Sequence, residues 1–393
     1  MDKESRSPHE RAFPGGPIPA YRMPALKRTW IVTGNRTSRS VSFAPLAPGL
    51  RAFMLHRVSP PQLRLLGLLT GEYRTEELEQ RLCAEFSHLP PGAVASMLNQ
   101  LDRAGLLEEA DVQPPADWTP AYVERYTRHL AVFAGYERPG LSRFDQQQRL
   151  RDARVAVLGV GGTGSWIALL LAQLGIGHLT LVDEDRITSS NLTRQALYTE
   201  RDIGRCKVVA ASEALRAINS EIQLTAVARS ITTEEELAEL CQGSNLVIIT
   251  FGPFLLPDPS RLQRACVRQG IPCVAMGGLH LGPLVIPGQT ACFECVRLAL
   301  DAYFPTPTAT GGNADAETFF LERGYHAIFA PLIASCIGLG VTEIIKFLAG
   351  FAPSTLENGL LYLNPTDLSI TRLATPRHPA CPLCGTEEEF RHL

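Results

Sequence analysis

The stretch from Arg154 to Val182 alternates two kinds of apolar run. Arg154 to Leu158 is short and valine-rich, which predicts a strand buried in a parallel sheet. Ser165 to Leu174 is long enough for an apolar helix, and His178 to Val182 predicts a second strand. Asn245–Thr250 and Cys273–Met276 read as further buried strands. Ser335–Leu348 reads as an apolar helix packed behind the sheet. Nearer the N-terminus the pattern changes. Thr29–Thr33 and Ser40–Phe43 predict strands flanking Gly34-Asn35. They are followed by short helices over Pro60–Leu69, Thr75–Phe86 and Pro91–Gly105. A strand pair with three helices is a small winged-helix arrangement.

Composition then divides the chain. Its 393 residues are enough for two domains. The first residues, with Pro8, Pro14 and Pro17, predict a loose tail over 1–27. The winged-helix region covers 28–111. A linker at 112–120, rich in proline and containing Trp118, precedes a larger α/β domain over 121–393. The net charge of −3 indicates no general affinity for nucleic acid. Pro91–Leu101 also carries no Lys or Arg, as a DNA-reading helix would. No apolar run is expected to reach the length of a membrane span. No apolar signal segment opens the chain, so a cytoplasmic location with reduced thiols is expected.

The chemistry begins after the first buried strand. Gly159, Gly161, Gly162 and Gly164 form a loop in which backbone N–H groups can approach phosphate oxygens. The following helix aims its N-terminus at the anion. Asp183 ends the next strand, about 20 residues on, where a ribose-binding carboxylate belongs. Taken alone, this pattern fits any Rossmann-like domain. Asn191, Arg194 and Gln195 follow in one loop, and Lys207 comes next on a predicted helix. A nicotinamide enzyme needs no such cluster. A nucleoside triphosphate losing pyrophosphate does, because charge builds on its phosphates. The plain alternative is a solvated polar loop.

There are ten cysteines. Cys292 and Cys295 form one pair, Cys381 and Cys384 another. Together they offer four soft thiolates for a tetrahedral structural zinc that ties mid-chain to the C-terminal region. A redox pair or four unrelated thiols are the alternatives. Cys83, Cys206, Cys241, Cys266, Cys273 and Cys336 are expected mostly as small core residues, with Cys206 the exception because it neighbours Lys207.

The glycine loop, Asp183, the Asn191–Gln195 segment and Lys207 together resemble the ubiquitin-activating-type adenylating family, with its ThiF and MoeB bacterial members. The resemblance implies a Rossmann-like α/β fold with a mixed sheet. It implies that Asp183 holds the ribose and that Asn191, Arg194 and Lys207 hold the phosphates of ATP. The paired cysteines also occur in that family. Glu124 to His129 resembles the arm that precedes the family's nucleotide fold. In that arm an arginine at the place of Arg128 reaches the ATP of the partner subunit, which implies a homodimer. One departure stands out. Gly252 occupies the place of the family's magnesium-binding aspartate. Magnesium would then be held by phosphates and water, or by Asp258 from the following loop. The departure also leaves a catalytically dead reading open.

Residues 28–111 resemble the PqqD-like domain of peptide-modifying enzymes, where an extended leader peptide adds as a strand to a sheet edge. A structural or dimerising appendage is the alternative. The whole span from Arg28 to Gly385 resembles the peptide-modifying group of the adenylating family. Asn191-Leu192-Thr193-Arg194-Gln195, Pro287-Gly288 and Phe329-Ala330-Pro331 carry that likeness. It implies ATP-dependent activation of a carboxylate on a ribosomal precursor peptide in antibiotic biosynthesis. A Glu side chain is preferred, as in pantocin A formation. A C-terminal carboxylate, as in microcin C, a sulfur-carrier substrate, or a non-catalytic leader-binding scaffold are the alternatives. Tyr303–Gly324, rich in Thr, Pro and Gly, is the candidate lid over the substrate.

Overall fold

The structure is a computed structural model. It describes residues 21–35, 37, 39–45, 52–138, 140–231, 233–250, 259–296, 298, 328–379 and 381–385. The chain divides into two compact units between Gln147 and Gln148.

The first unit contains β1 (Pro24–Leu26), β2 (Trp30–Asn35), β3 (Ser40–Pro45), β4 (Phe53–Leu55), α1 (Pro60–Leu68), α2 (Thr75–Glu85), α3 (Ala93–Arg103), β5 (Leu107–Glu109) and α4 (Pro120–Ala134). The helix α5 (Arg143–Asp152) runs through the division point. The helices start where local chemistry directs. Ser59 and Gln62 form a capping box ahead of α1, with Pro60 in its first turn. Thr119 caps α4, again just before a proline. The expected strand pair is part of a three-stranded antiparallel sheet in the order β2-β3-β4. Separately, β1 pairs antiparallel with β5. These short strands carry too few residues for alternation to reveal them. Phe43, Leu65, Leu78, Leu82, Leu106 and Leu107 are buried together beneath the helices. Phe53 stacks on Phe43.

The second unit contains β6 (Arg154–Leu158), α6 (Gly162–Leu174), β7 (His178–Val182), α7 (Lys207–Ile218), β8 (Gln223–Val227), α8 (Glu234–Cys241), β9 (Leu246–Ile249), α9 (Pro259–Arg268), β10 (Cys273–Gly277), β11 (His280–Val285), α10 (Ala330–Ala349), β12 (Gly359–Leu363) and β13 (Ile370–Ala374). One eight-stranded sheet has the order β13-β12-β11-β10-β9-β6-β7-β8. The half from β8 to β10 is parallel, and β11 to β13 extend it antiparallel. From β6 the chain winds outward to β7 and β8, then returns to β9 on the other flank of β6. That reversal opens a crevice at the carboxyl ends of β6 and β9, where open α/β sheets bind ligands.

Two expectations are corrected here. The helix α10 has 20 residues and a mean hydropathy of 1.8, so by length and composition it is long and apolar enough to span a membrane. In the fold it packs along α6 and β11. Its Glu343 accepts hydrogen bonds from Ser354 Oγ, the Thr355 amide and Lys346. Among the cysteines outside the two pairs, Cys241, Cys266, Cys273 and Cys336 are buried as expected. Cys83 is exposed and Cys206 half-buried.

Candidate nucleotide site and cysteine cluster

The crevice is built from the ends of β6, β7 and β9. Gly159 turns the chain out of β6 with φ of 91°, in the left-handed region. Gly164 lies in the first turn of α6. A Cβ there would come within 1.8 Å of the Gly159 carbonyl oxygen, so only glycine lets the helix start this close to the strand end. The helix begins at Gly162, ahead of the expected Ser165, and takes Gly162 and Gly164 into its first turn. Thr250, just after β9, donates its hydroxyl to the Leu158 carbonyl at 2.8 Å, holding the strand end.

Asp183 is buried at the end of β7. Its carboxylate accepts from the Val160 amide at 2.7 Å and from the Asp185 amide at 2.9 Å. Lys207 opens α7 and is also buried. Its ammonium lies 2.6 Å from the Asp185 carboxylate and 3.8 Å from that of Asp183. Asn191 caps its own turn, accepting from the Thr188 amide at 3.1 Å. The turn folds back over the glycine loop. A Cβ on Gly162 would lie 3.6 Å from Cδ and Nε of Arg194, and one on Gly161 would lie 3.8 Å from Nε2 of Gln195. Gln195 is buried, and its Oε1 has no hydrogen-bond partner. Asp183, Asn191, Arg194, Gln195, Lys207 and the four glycines therefore share one crevice. Arg128 is exposed on α4, in the other unit. Gly252, Asp258 and the Tyr303–Gly324 stretch lie outside the described residues.

Several residues of this crevice escaped the sequence reading. Asp185 holds Lys207, Tyr198 donates to the Val160 carbonyl at 2.8 Å, and Ser165 and Trp166 bond to the Arg194–Ala196 backbone. Asp185 carried a signal, because it sits in an acidic run directly after the ribose-type aspartate. The other three carried none, since a buried hydroxyl or indole on an apolar element reads as core.

The four paired cysteines converge. Their sulfurs all lie within 4.8 Å of one another. Cys292 is 3.8 Å from Cys295 and 3.4 Å from Cys381, and Cys295 is 3.3 Å from Cys384. A zinc tetrahedron with ~2.3 Å bonds has sulfur–sulfur edges of about 3.8 Å. The donor set and its size thus fit one zinc. The His378 amide points at the Cys295 sulfur from 3.3 Å and would stabilise a thiolate there. Cys292, Cys295 and Cys381 are buried and Cys384 partly so.

The ThiF family pattern matches residues 126–383. The chain belongs to the ThiF family. It is 31% identical over 252 residues to the sulfur carrier protein ThiS adenylyltransferase of Bacillus subtilis (strain 168), covering 62% of this chain and 68% of that one. It is 29% identical over 265 residues to the molybdopterin-synthase adenylyltransferase of Escherichia coli (strain K12), covering 66% and 96%. In fold it is similar to E. coli MccB solved with AMPCPP and MccA, with a TM-score of 0.70 at 21% identity over 92% of this chain and 99% of that one. It is similar likewise to PaaA, with a TM-score of 0.66 at 21% identity over 90% and 100%. The chain is an ATP-dependent adenylating enzyme of the ThiF type.

Proposed function

We propose that this enzyme activates a carboxylate of a ribosomally made precursor peptide by adenylation, in the biosynthesis of a peptide antibiotic. The observation that carries the chemistry is the crevice itself. Basic and amide groups surround a glycine loop, with the Arg194 side chain over Gly162 and the Gln195 amide nitrogen beside Gly161. A carboxylate oxygen of the peptide attacks the α-phosphorus of ATP. The bond to the β-phosphate oxygen breaks, and pyrophosphate leaves with its electron pair. Lys207 and Arg194 stabilise the charge that develops on the phosphates, Asn191 and Gln195 orient them, and Asp183 holds the ribose. A nitrogen or carbon nucleophile of the same peptide then attacks the acyl carbon, and AMP departs. A Glu side chain is the preferred carboxylate. The ATP phosphates and water hold the accompanying magnesium ion.

Residues 28–111 bind the leader. In its sheet β4 is an edge strand. Beside it lies a groove of about 150 Å³ lined by Leu55, Leu66, Met97, Gln100 and Leu101 among others. An unpaired strand edge next to an apolar groove suits backbone pairing with side-chain anchoring. The likeness in fold to MccB and PaaA extends over nearly the whole chain, small unit included. E. coli MccB has been solved with AMPCPP and MccA. The enzyme works as a cytoplasmic homodimer in which Arg128 completes the partner's ATP site. Mixed Arg128→Ala and Lys207→Ala subunits are then expected to recover part of the activity that each alone lacks. One zinc is held by Cys292, Cys295, Cys381 and Cys384. Its role is structural, and elemental analysis is expected to find it at one per chain.

The deciding experiment mixes enzyme, a leader-bearing peptide and ATP, and weighs the peptide. An adenylate or dehydrated product that disappears with Glu→Gln in the peptide core supports the reading. Loss only on C-terminal amidation moves the activation to the C-terminus. Unchanged peptide mass with ATP, under conditions where leader binding is measured, replaces the enzyme reading with a scaffold.

A further inference from the structure

We infer that Trp166 is the positioning residue for Arg194, and that Ser165 assists it. The inference rests on the adenylation reading above for its chemistry. Arg194 sits at the exit of a tight turn. The turn satisfies the amides of Arg194 and Gln195 on the Asn191 carbonyl, at 3.1 and 3.0 Å. The Arg194 carbonyl faces outward from that turn and needs another donor. The indole N–H of Trp166, from the first turns of α6, donates to it at 3.0 Å. One residue earlier, the buried Ser165 hydroxyl accepts from the Ala196 amide, also at 3.0 Å. The two bonds grip the backbone on both sides of Gln195.

Both anchors come from the helix whose first turn makes the glycine loop. The phosphate cradle and the arginine are therefore fixed to one rigid element before nucleotide arrives. The Arg194 guanidinium is also held at its far end, by the Ser190 carbonyl at 2.9 Å, so its stem lies across Gly162. Tryptophan suits this work. It has two side-chain torsions and a single N–H donor at the end of a broad ring, so it fixes one distance at small entropic cost. A charge-stabilising group held in place accelerates reaction more than one that must be ordered in each turnover. Trp166 acts by holding the Arg194 backbone, and through it the guanidinium.

The test is a double-mutant cycle on the full-length enzyme. Trp166→Phe keeps the ring and removes the N–H. With wild-type Arg194 it is expected to lower kcat about tenfold and to weaken ATP binding about threefold. In the Arg194→Ala background the same change is expected to have no further effect. Ser165→Ala, a smaller change, follows the same cycle with a weaker drop and serves if Trp166→Phe does not fold. An equal drop in both backgrounds, or no drop with Arg194 intact, overturns the assignment. A second arm reads ATP affinity by calorimetry without peptide. Non-additive weakening by Trp166→Phe and Arg194→Ala supports the coupling, and additive or absent weakening overturns it. If the wild-type enzyme turns over no peptide, the adenylation reading fails by itself, and this second arm still decides the role of Trp166.

Discussion

Each unit buries a cluster of charges, and the two are built to opposite ends. In the first unit Arg143 donates to Glu137 at 2.6 and 2.9 Å and to Glu108 at 2.6 Å. Lys27 is buried nearby, its ammonium on the Gly135 and Glu137 carbonyls at 3.2 and 3.0 Å. Every charge in that group meets a partner within the unit. In the second unit Lys207 leans on Asp185, whose side chain is 63% exposed, and Gln195 Oε1 has no partner. In the closed cluster every charge has a partner, although burial still raises Glu108 and lowers Lys27. The open one leaves capacity for a ligand.

The largest effect expected from this contrast is in stability. Arg143→Ala strands two buried carboxylates and is expected to cost about 3–5 kcal/mol in urea denaturation. Lys207→Ala should cost less, about 1–2 kcal/mol, since Asp185 is largely solvated and Asp183 keeps its two amide donors. Similar losses from both would erase the distinction. Next comes turnover. Lys207→Ala and Arg194→Ala are each expected to slow peptide activation by about a hundredfold, roughly 2.7 kcal/mol. The loss should appear in kcat more than in peptide affinity. Normal turnover with both substitutions in place would remove the open cluster from catalysis.

Smaller still is the effect of charge in the leader groove. Met97→Glu is expected to raise the KM for full-length precursor about tenfold, with ATP affinity unchanged. Unchanged precursor KM would place leader binding elsewhere. The smallest effect is a pH slope. Burial raises the Glu108 carboxyl above its ordinary 4.5, against the opposing pull of Arg143. The folded chain therefore holds this proton to higher pH than the unfolded chain. Between about pH 4.5 and that raised value, the contribution of Glu108 to stability falls as pH rises. Glu108→Gln should flatten the stability–pH curve in that window, and an unchanged slope would show that the carboxyl is not perturbed. By the same reasoning the burial that lowers Lys27 makes stability rise with pH up to about 10.5, from the folded value of that group upward.

The sequence alone determined the features that are local in the chain. Strands β6, β7, β9 and β10 and helix α6 were legible within a few residues, because valine-rich runs and glycine punctuation act over one element. The glycine loop, Asp183, the Asn191–Gln195 segment and Lys207 were legible as one group because they lie within about 50 residues of one another, and the structure brings them together. The two cysteine pairs were legible as a donor set. Tertiary structure decided what depends on residues far apart. It set the return of the chain to β9 that opens the crevice, and the antiparallel extension β11–β13. It also placed Trp166 and Ser165 against the backbone around Gln195. The closed cluster is the extreme case: Lys27 meets the Glu137 carbonyl across 110 residues of chain. Periodicity reports the face a residue presents to its own element. The partner of a buried charge is chosen only when folding removes water and leaves one donor within reach of one acceptor.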